Sequence, residues 1–368
     1  MSTKVRVEDR TSAPVAVDLF AGGGGLTVGL KAAGFKVVAA VENHDPARVT
    51  YSLNHPEVGY FGSDIRDVKG AALLGASPTG QIDLLAGCPP CQGFSSLTAK
   101  YSKRDSRNTL IREVGRLVRL TKPRAIMIEN VPGLAMKGRR YLSDFITTLE
   151  GLGYEVEMGV LQVADYGVPQ TRRRFVLLAG LGFHIPLPAP TRSKTGKDLP
   201  KWRAAREVLK GRAKAVTLSY SLERGGPAKF NWHIVRTMTD ANVQRLKAAR
   251  AGKSWKTIPK RLRPDCHKEG KTVFGNVYGR MRWAMPSPTI TGGCTTLSKG
   301  RFGHPIANRT ISVREAAAFQ TFPETYKFPG TYMDHVCAIV GNALPCDFAK
   351  VLALHCKRFM DGHAAARD

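Results

Sequence analysis

The sequence predicts a doubly wound α/β fold with a parallel sheet, interrupted by a smaller basic segment and completed by the last helix of the chain. Two observations predict it. Short apolar runs alternate with amphipathic stretches through the first half, the pattern of strand–helix–strand units over a parallel sheet. The charge is also uneven: of a net +27 over 368 residues, +21 falls in residues 183–310, which hold 27 Lys+Arg against 6 Asp+Glu. An evenly basic surface would spread that excess, whereas a concentrated one points to a polyanionic partner.

The elements follow in order. Val15 to Phe20 reads as a buried strand broken by Gly22-Gly23-Gly24-Gly25, and Leu26 to Ala33 as a helix stopped by Gly34. Lys36 to Val41 is a second strand ending on Glu42-Asn43, and Ile82 to Ala86 a third ending on Gly87-Cys88-Pro89-Pro90-Cys91. After a polar loop and a helix at Leu110 to Leu120, the strand Ala125 to Ile128 ends on Glu129-Asn130. Tyr154 to Leu161 and Arg174 to Ala179 form a closing hairpin or strand pair. Texture changes near Gly182 to Pro, Lys, Arg and scattered aromatics, and regular patterning returns near Ser312, with helices at Val313 to Phe319 and Asp347 to Phe359. The expected division is 1–182, 183–311 and 312–368.

Composition excludes several classes. Hydrophobic content of 43% with 23% charged residues excludes wholesale disorder. No uninterrupted apolar run approaches the ~20 residues that span a bilayer, and the polar amino terminus does not read as a signal peptide. Seven cysteines are too sparse for a disulfide scaffold, so a reducing cytoplasm is expected.

Three strand ends carry unusual chemistry, and ligands of open α/β sheets sit at the carboxyl ends of strands. The glycine cluster invites a nucleotide at a helix start. It fails G-x-G-x-x-G, since counting from Gly22 ends on Thr27 and from Gly23 on Val28. With Glu42 placed for ribose hydroxyls and Asp64 for an adenine amine, adenosine without a pyrophosphate fits better than a dinucleotide. The C-x-x-C of Cys88 and Cys91 also admits a redox dithiol or half a zinc site. Cys266-His267 lies far off without paired spacing, however, and no metal is expected. As a nucleophile, Cys91 at a strand end would be activated by nearby arginines.

VDLFAGGGG, VEN, GCPPCQGFS, ENVPGL, QTRRR, VREAAAFQTFP and VGNALP stand in the order seen in DNA cytosine-5 methyltransferases, and the sequence resembles that family from Val17 to Pro345, the basic segment apart. The resemblance implies a Rossmann-like methyltransferase sheet, S-adenosylmethionine as methyl donor with S-adenosylhomocysteine as product, and double-stranded DNA as partner. It assigns covalent addition at cytosine carbon 6 to Cys91 and assistance at ring nitrogen 3 to Glu129, which must carry or share a proton for that work. The Gln-x-Arg-x-Arg spacing selects Arg172 and Arg174, alternate residues on one face of a strand, with Arg173 facing away toward DNA. Cofactor residues implied are Phe20, Gly22, Gly23, Gly25, Leu26, Glu42, Asn43, Asp64, Ile65, Pro90 and Asn342. Expected at DNA are Gln92, Ser95, Arg107, Gln170, Arg173, Arg280, Arg282 and Thr289. Cys88 departs from the common Gly-Gly-Pro-Pro-Cys-Gln form.

The target base must flip out, because carbon 6 is approached from above the ring. Gln92 to Asn108 reads as a basic loop closing over it. The 137 residues between Arg174 and Ser312 suit one target-recognition unit. The expected setting is a monomer at the bacterial nucleoid, with a restriction endonuclease encoded separately. Two alternatives stay open: a tRNA cytosine-5 methyltransferase with the same chemistry, and a non-catalytic DNA-binding protein on a methylase-like core.

Overall fold

Five consecutive buried residues, Val15–Leu19, form strand β1, and the chain then turns at once into helix α1 (Gly25–Ala32) through Gly24, whose φ of 87° favours glycine. The computed structural model describes residues 13–90, 109–136, 138–268, 274–330 and 332–366. From α1 the chain runs through β2 (Lys36–Val41), α2 (Asp45–Asn54), β3 (Tyr60–Gly62) and α3 (Gly70–Gly75) before returning to β4 (Leu84–Gly87). Next come α4 (Leu110–Thr121), β5 (Ala125–Asn130), α5 (Gly133–Met136), α6 (Arg139–Glu150), β6 (Tyr154–Gln162) and β7 (Arg173–Leu181). The seven strands stand in the order β3-β2-β1-β4-β5-β7-β6. β3 to β5 are parallel, and β7 is antiparallel to both its neighbours.

This is the doubly wound sheet expected from the sequence. Strand order reverses between β1 and β4, which opens a crevice over their carboxyl ends. The strand pair closes the sheet with its second member inside. β7 is buried from Phe175 to Gly180, so both its faces need cover, whereas β6 alternates in exposure and suits an edge. One face is covered by α4 and α6 through Ile111, Val114, Leu117, Leu142 and Phe145. The other is covered by α1 and the last helix, α12 (Cys346–Ala365). Gly29 lets these two cross closely, since a Cβ there would lie 2.4 Å from that of Ala349.

Residues 183–311 hold only short elements: α7 (Ala205–Leu209), β8 (Val216–Thr217), α8 (Leu218–Leu222), β9 (Ile234–Val235) and α9 (Asp240–Ala248). Much of this segment shares a core with the return that follows. Leu209, Trp232, Ile234, Met281, Ile290 and Phe302 pack with residues of α10 (Val313–Phe319) and α11 (Met333–Asn342). A satellite cluster of Ala249, Trp255, Ile258 and Val277 stands apart, its ends joined by a bridge between Ala251 and Arg280.

The sequence alone did not reveal α11. Together with α12 it makes Met333–Ala365 apolar enough to cross a membrane, yet 67% of that window is buried inside the protein.

Candidate active site

Parallel pairing sets Gly87 of β4 beside Ile128 of β5, so the residues leaving each strand, Cys88 and Glu129, emerge as neighbours. Asn130 secures the loop between them by donating from Nδ2 to the carbonyl of Pro89 at 2.9 Å. The Cys88 thiol donates to the Glu129 carboxylate, and burial, then the charges of Glu129 and Asp18, hold that thiol well above its ordinary range. A thiol kept protonated in this way is no nucleophile, which leaves Cys88 a structural donor.

β7 brings the arginines across. Arg174 Nε lies 2.5 Å from Glu129 Oε1, with both side chains nearly enclosed. Arg172, just before the strand, is buried, and its Nη1 donates to the carbonyls of Ile290 at 2.9 Å and Gly341 at 3.1 Å. Burial, then the charge of Arg174, presses the Arg172 guanidinium well below its usual pKa. Its Nε finds no partner among the described residues. A buried cation with an unused N–H, beside a carboxylate engaged elsewhere, is prepared for an acceptor brought by a ligand. Arg173 points outward and is exposed, as alternation predicts.

Across the crevice, the glycine loop is tied to β2: Glu42 accepts from Gly22 N through Oε2 and from His44 N through Oε1, each at 2.8 Å. Both oxygens keep a lone pair for hydroxyl donors. Gly22 (φ 54°) has open space where a Cβ would stand, and Phe20 holds a left-handed backbone (φ 59°). Gly23 and Gly25 are glycines for another reason: a Cβ would meet Ile339 at 2.3 Å in the first case and the Leu344 carbonyl at 2.9 Å in the second. Leu26 and Ile65 bury their side chains, so toward a ligand they offer backbone only. Asp64 is gripped by Arg66, whose side-chain and backbone donors hold its carboxyl down to about 2. Asn43 and Asn342 are exposed, and Pro90 is half-buried. An open glycine cradle at Gly22, with acceptors at Glu42 and Asp64 nearby, is compatible with the S-adenosylmethionine expected from the sequence.

Beneath the loop lies a buried chain that sequence reasoning missed. Thr27 donates to Asp18 Oδ2 at 2.6 Å, and Tyr51 OH lies 2.9 Å from the same hydroxyl. Burial lifts the Asp18 carboxyl to about 7. His55 Nε2 meets the Tyr326 hydroxyl at 3.0 Å, and Tyr326 donates to the Gly23 carbonyl. In sequence, only Asp18, a carboxylate inside an apolar strand, signals this layer.

Two residues expected at DNA are corrected. Gln170 is fully buried, and its amide bonds Gln320, Phe319 and Ile290. Arg280 is buried and donates to the carbonyls of Leu246, His304 and Ala307, so its guanidinium welds the basic segment together. The Thr289 hydroxyl donates to the Thr171 carbonyl at 2.9 Å, while Arg282 is exposed. Cys91, Gln92, Ser95 and Arg107, with the whole loop to Asn108, lie outside the described residues.

The model of the C-5 cytosine-specific DNA methylase family matches residues 15–358. The chain is 36% identical over 351 residues to the Type II methylase M.HgiDII of Herpetosiphon aurantiacus, covering 94% of this chain and 96% of that one. It is 30% identical to the Type II methyltransferase M.AgeI of Thalassovita gelatinovora, over 92% and 97%. In fold it resembles a putative DNA modification methyltransferase of an E. coli prophage (TM-score 0.70, 22% identity, covering 95% of this chain and 100% of that one). The S. pombe Dnmt2 methyltransferase is similar in the same way (0.63, 16%, 95% and 99%). The family match over residues 15–358 and a 36% identical relative covered nearly end to end place the chain in one family: it belongs to the C-5 cytosine-specific DNA methylases.

Proposed function

We propose that this DNA cytosine-5 methyltransferase modifies a flipped-out cytosine within one short duplex sequence, as the modification partner of a restriction endonuclease. The observation that carries the reading is the group formed by Glu129, Arg174 and the unsatisfied Nε of Arg172 at the ends of β5 and β7. In it, the Cys91 thiolate forms a bond to carbon 6 of the cytosine. The electron pair displaced from the ring is drawn toward nitrogen 3, which Glu129 faces, and carbon 5 becomes nucleophilic. Arg174 fixes the Glu129 carboxyl, and Arg172 offers a donor to the cytosine carbonyl or to the thiolate. S-adenosylmethionine, when bound on the glycine loop, supplies an electrophilic methyl group. Loss of the carbon 5 proton and departure of Cys91 restore the ring.

Residues 183–311 act as the target-recognition unit, with Arg173 and Arg282 as exposed cations toward DNA. Similarity to Type II methylases supports the restriction–modification setting. The test is bisulfite sequencing of plasmid from a methylation-free host expressing this chain, beside Cys91→Ser. Methylcytosine in one sequence context, lost in the variant, is the expected result. Soluble protein that leaves the plasmid unmethylated overturns the DNA assignment and turns attention to tRNA.

A further inference from the structure

Arg172 is held by two backbone carbonyls, Ile290 O and Gly341 O, which come from segments far apart in sequence. A pair of side-chain amides bonds the backbone on either side of those carbonyls. Gln320, fully buried at the end of α10, donates from Nε2 to Val340 O at 2.7 Å and to Ala343 O at 2.8 Å, bracketing Gly341 and Asn342. Its Oε1 accepts from Gln170 Nε2 at 2.6 Å, and Gln170 Oε1 accepts from Ile290 N at 2.8 Å. The orientation of each amide is forced. One end of Gln320 faces two carbonyls and must be its NH2, so the other end is the oxygen that Gln170 requires. All four side-chain polar atoms are satisfied, as a buried network demands.

We infer that Gln320 is a positioning residue for the methyl-transfer reaction, acting through Gln170 and the carboxyl end of α11 to set the two acceptors of Arg172. Resting on the proposed function, the inference links Arg172 to the helix end that bears Asn342. The two segments touch directly: a Cβ at Gly341 would stand 2.2 Å from Gly292 N, so the end of α11 and the 291–292 segment shift together. Without the amides, a small rotation of this contact would carry both acceptors away from Arg172. Displacements of about 1 Å can cost on the order of 100-fold in rate.

The test is a double-mutant cycle of Gln320→Met with Arg172→Lys, read as the single-turnover methylation rate on a substrate duplex. Affinities for DNA and S-adenosylmethionine and the active-site titre are measured alongside. Gln320→Met should slow the chemical step by about 10–100-fold per active site while DNA affinity stays within about threefold. Added to Arg172→Lys it should cost almost nothing further, since both act on one guanidinium. A purely structural role would lower the titre or the melting temperature without changing the rate per active site. Losses that multiply in the double variant, or an unaltered rate in the single one, would overturn the inference. If Gln320→Met does not fold, Gln320→Glu carries the cycle. It keeps the acceptor for Gln170 and sets an oxygen against Val340 O and Ala343 O, and it should lose rate in the same non-additive way. A wild-type enzyme that forms no 5-methylcytosine would instead refute the proposed function.

Discussion

Asp18 is a carboxyl enclosed on every side, and its replacement by asparagine isolates one electrostatic effect. Its hydrogen-bond supply is small: Thr27 donates to Oδ2, and Oδ1 has no partner among the described residues. Because Thr27 has a single hydrogen and gives it to Asp18, Tyr51 must donate to Thr27. Burial, offset partly by Thr27, raises the carboxyl from 3.8 to about 7. A pKa raised on folding means that the native state binds the proton more tightly than the unfolded chain. The associated stability is present below pH 3.8 and is lost as pH rises toward 7. Three units correspond to about 4 kcal/mol, at about 1.4 kcal/mol per unit. Asp18→Asn keeps the acceptor for Thr27 and cannot ionise. Its unfolding free energy minus that of the wild type should therefore climb by about 1.4 kcal/mol per pH unit from pH 4 to 7 and then level off. Urea unfolding at half-unit steps from pH 4 to 8.5 measures it. Taking the difference removes the opposite contributions of Glu315 and Glu324, whose pKa values are lowered and which are common to both proteins. A difference constant with pH would refute the reasoning.

Gly22→Ala should cost only about 1–2 kcal/mol of stability, since φ is 54° but the space is open. It should nevertheless weaken S-adenosylmethionine binding by calorimetry at least tenfold, because the methyl group enters the cradle. Gly341→Ala faces backbone atoms at 2.2 Å and should lower stability by about 3 kcal/mol or more, read as a fall in melting temperature together with activity. Arg280→Ala should destabilise by about 3 kcal/mol, since several carbonyls lose their donor. Arg282→Ala should leave stability within about 0.5 kcal/mol and weaken DNA binding with a shallower salt dependence; chemical denaturation and binding titrations at several salt concentrations separate the two.

Much of the site was legible because its residues sit where periodicity breaks. β1, β2 and β4 give way to the glycines, Glu42 and Cys88 where the apolar runs stop, whereas β5 runs two residues past Ile128 and carries Glu129 and Asn130 within the strand. Alternation in Gln170-Thr171-Arg172-Arg173-Arg174 likewise separated the inward arginines from the outward one. Polar residues that are internal were not legible. Gln170 and Arg280 read as DNA contacts because an amide or a guanidinium in sequence does not disclose whether its partner is a phosphate or a carbonyl a hundred residues away. Gln320 closes an apolar run, Ala316-Ala317-Ala318-Phe319, and that placement was the available sign of a buried amide. α11 escaped notice because its hydrophobic residues merge with those of α12 and blur the helical period.

The satellite cluster around Trp255 differs from the rest of the basic segment in what it leans on. The excursion between Ala251 and Arg280 is bridged at its base and tied outward through Gly252, Leu262 and Tyr278, while its described residues Trp255, Ile258 and Val277 pack with Ala249 in a cluster of their own. Because it packs separately, that cluster can be altered without opening the core that carries the amides around Arg172. The rest of the basic segment has no such freedom, since Trp232, Met281 and Phe302 share their core with α10 and α11. Tolerance and constraint are thus partitioned within a single stretch of chain: the separately packed cluster can change without reaching Arg172, and the part that shares its core with α10 and α11 cannot.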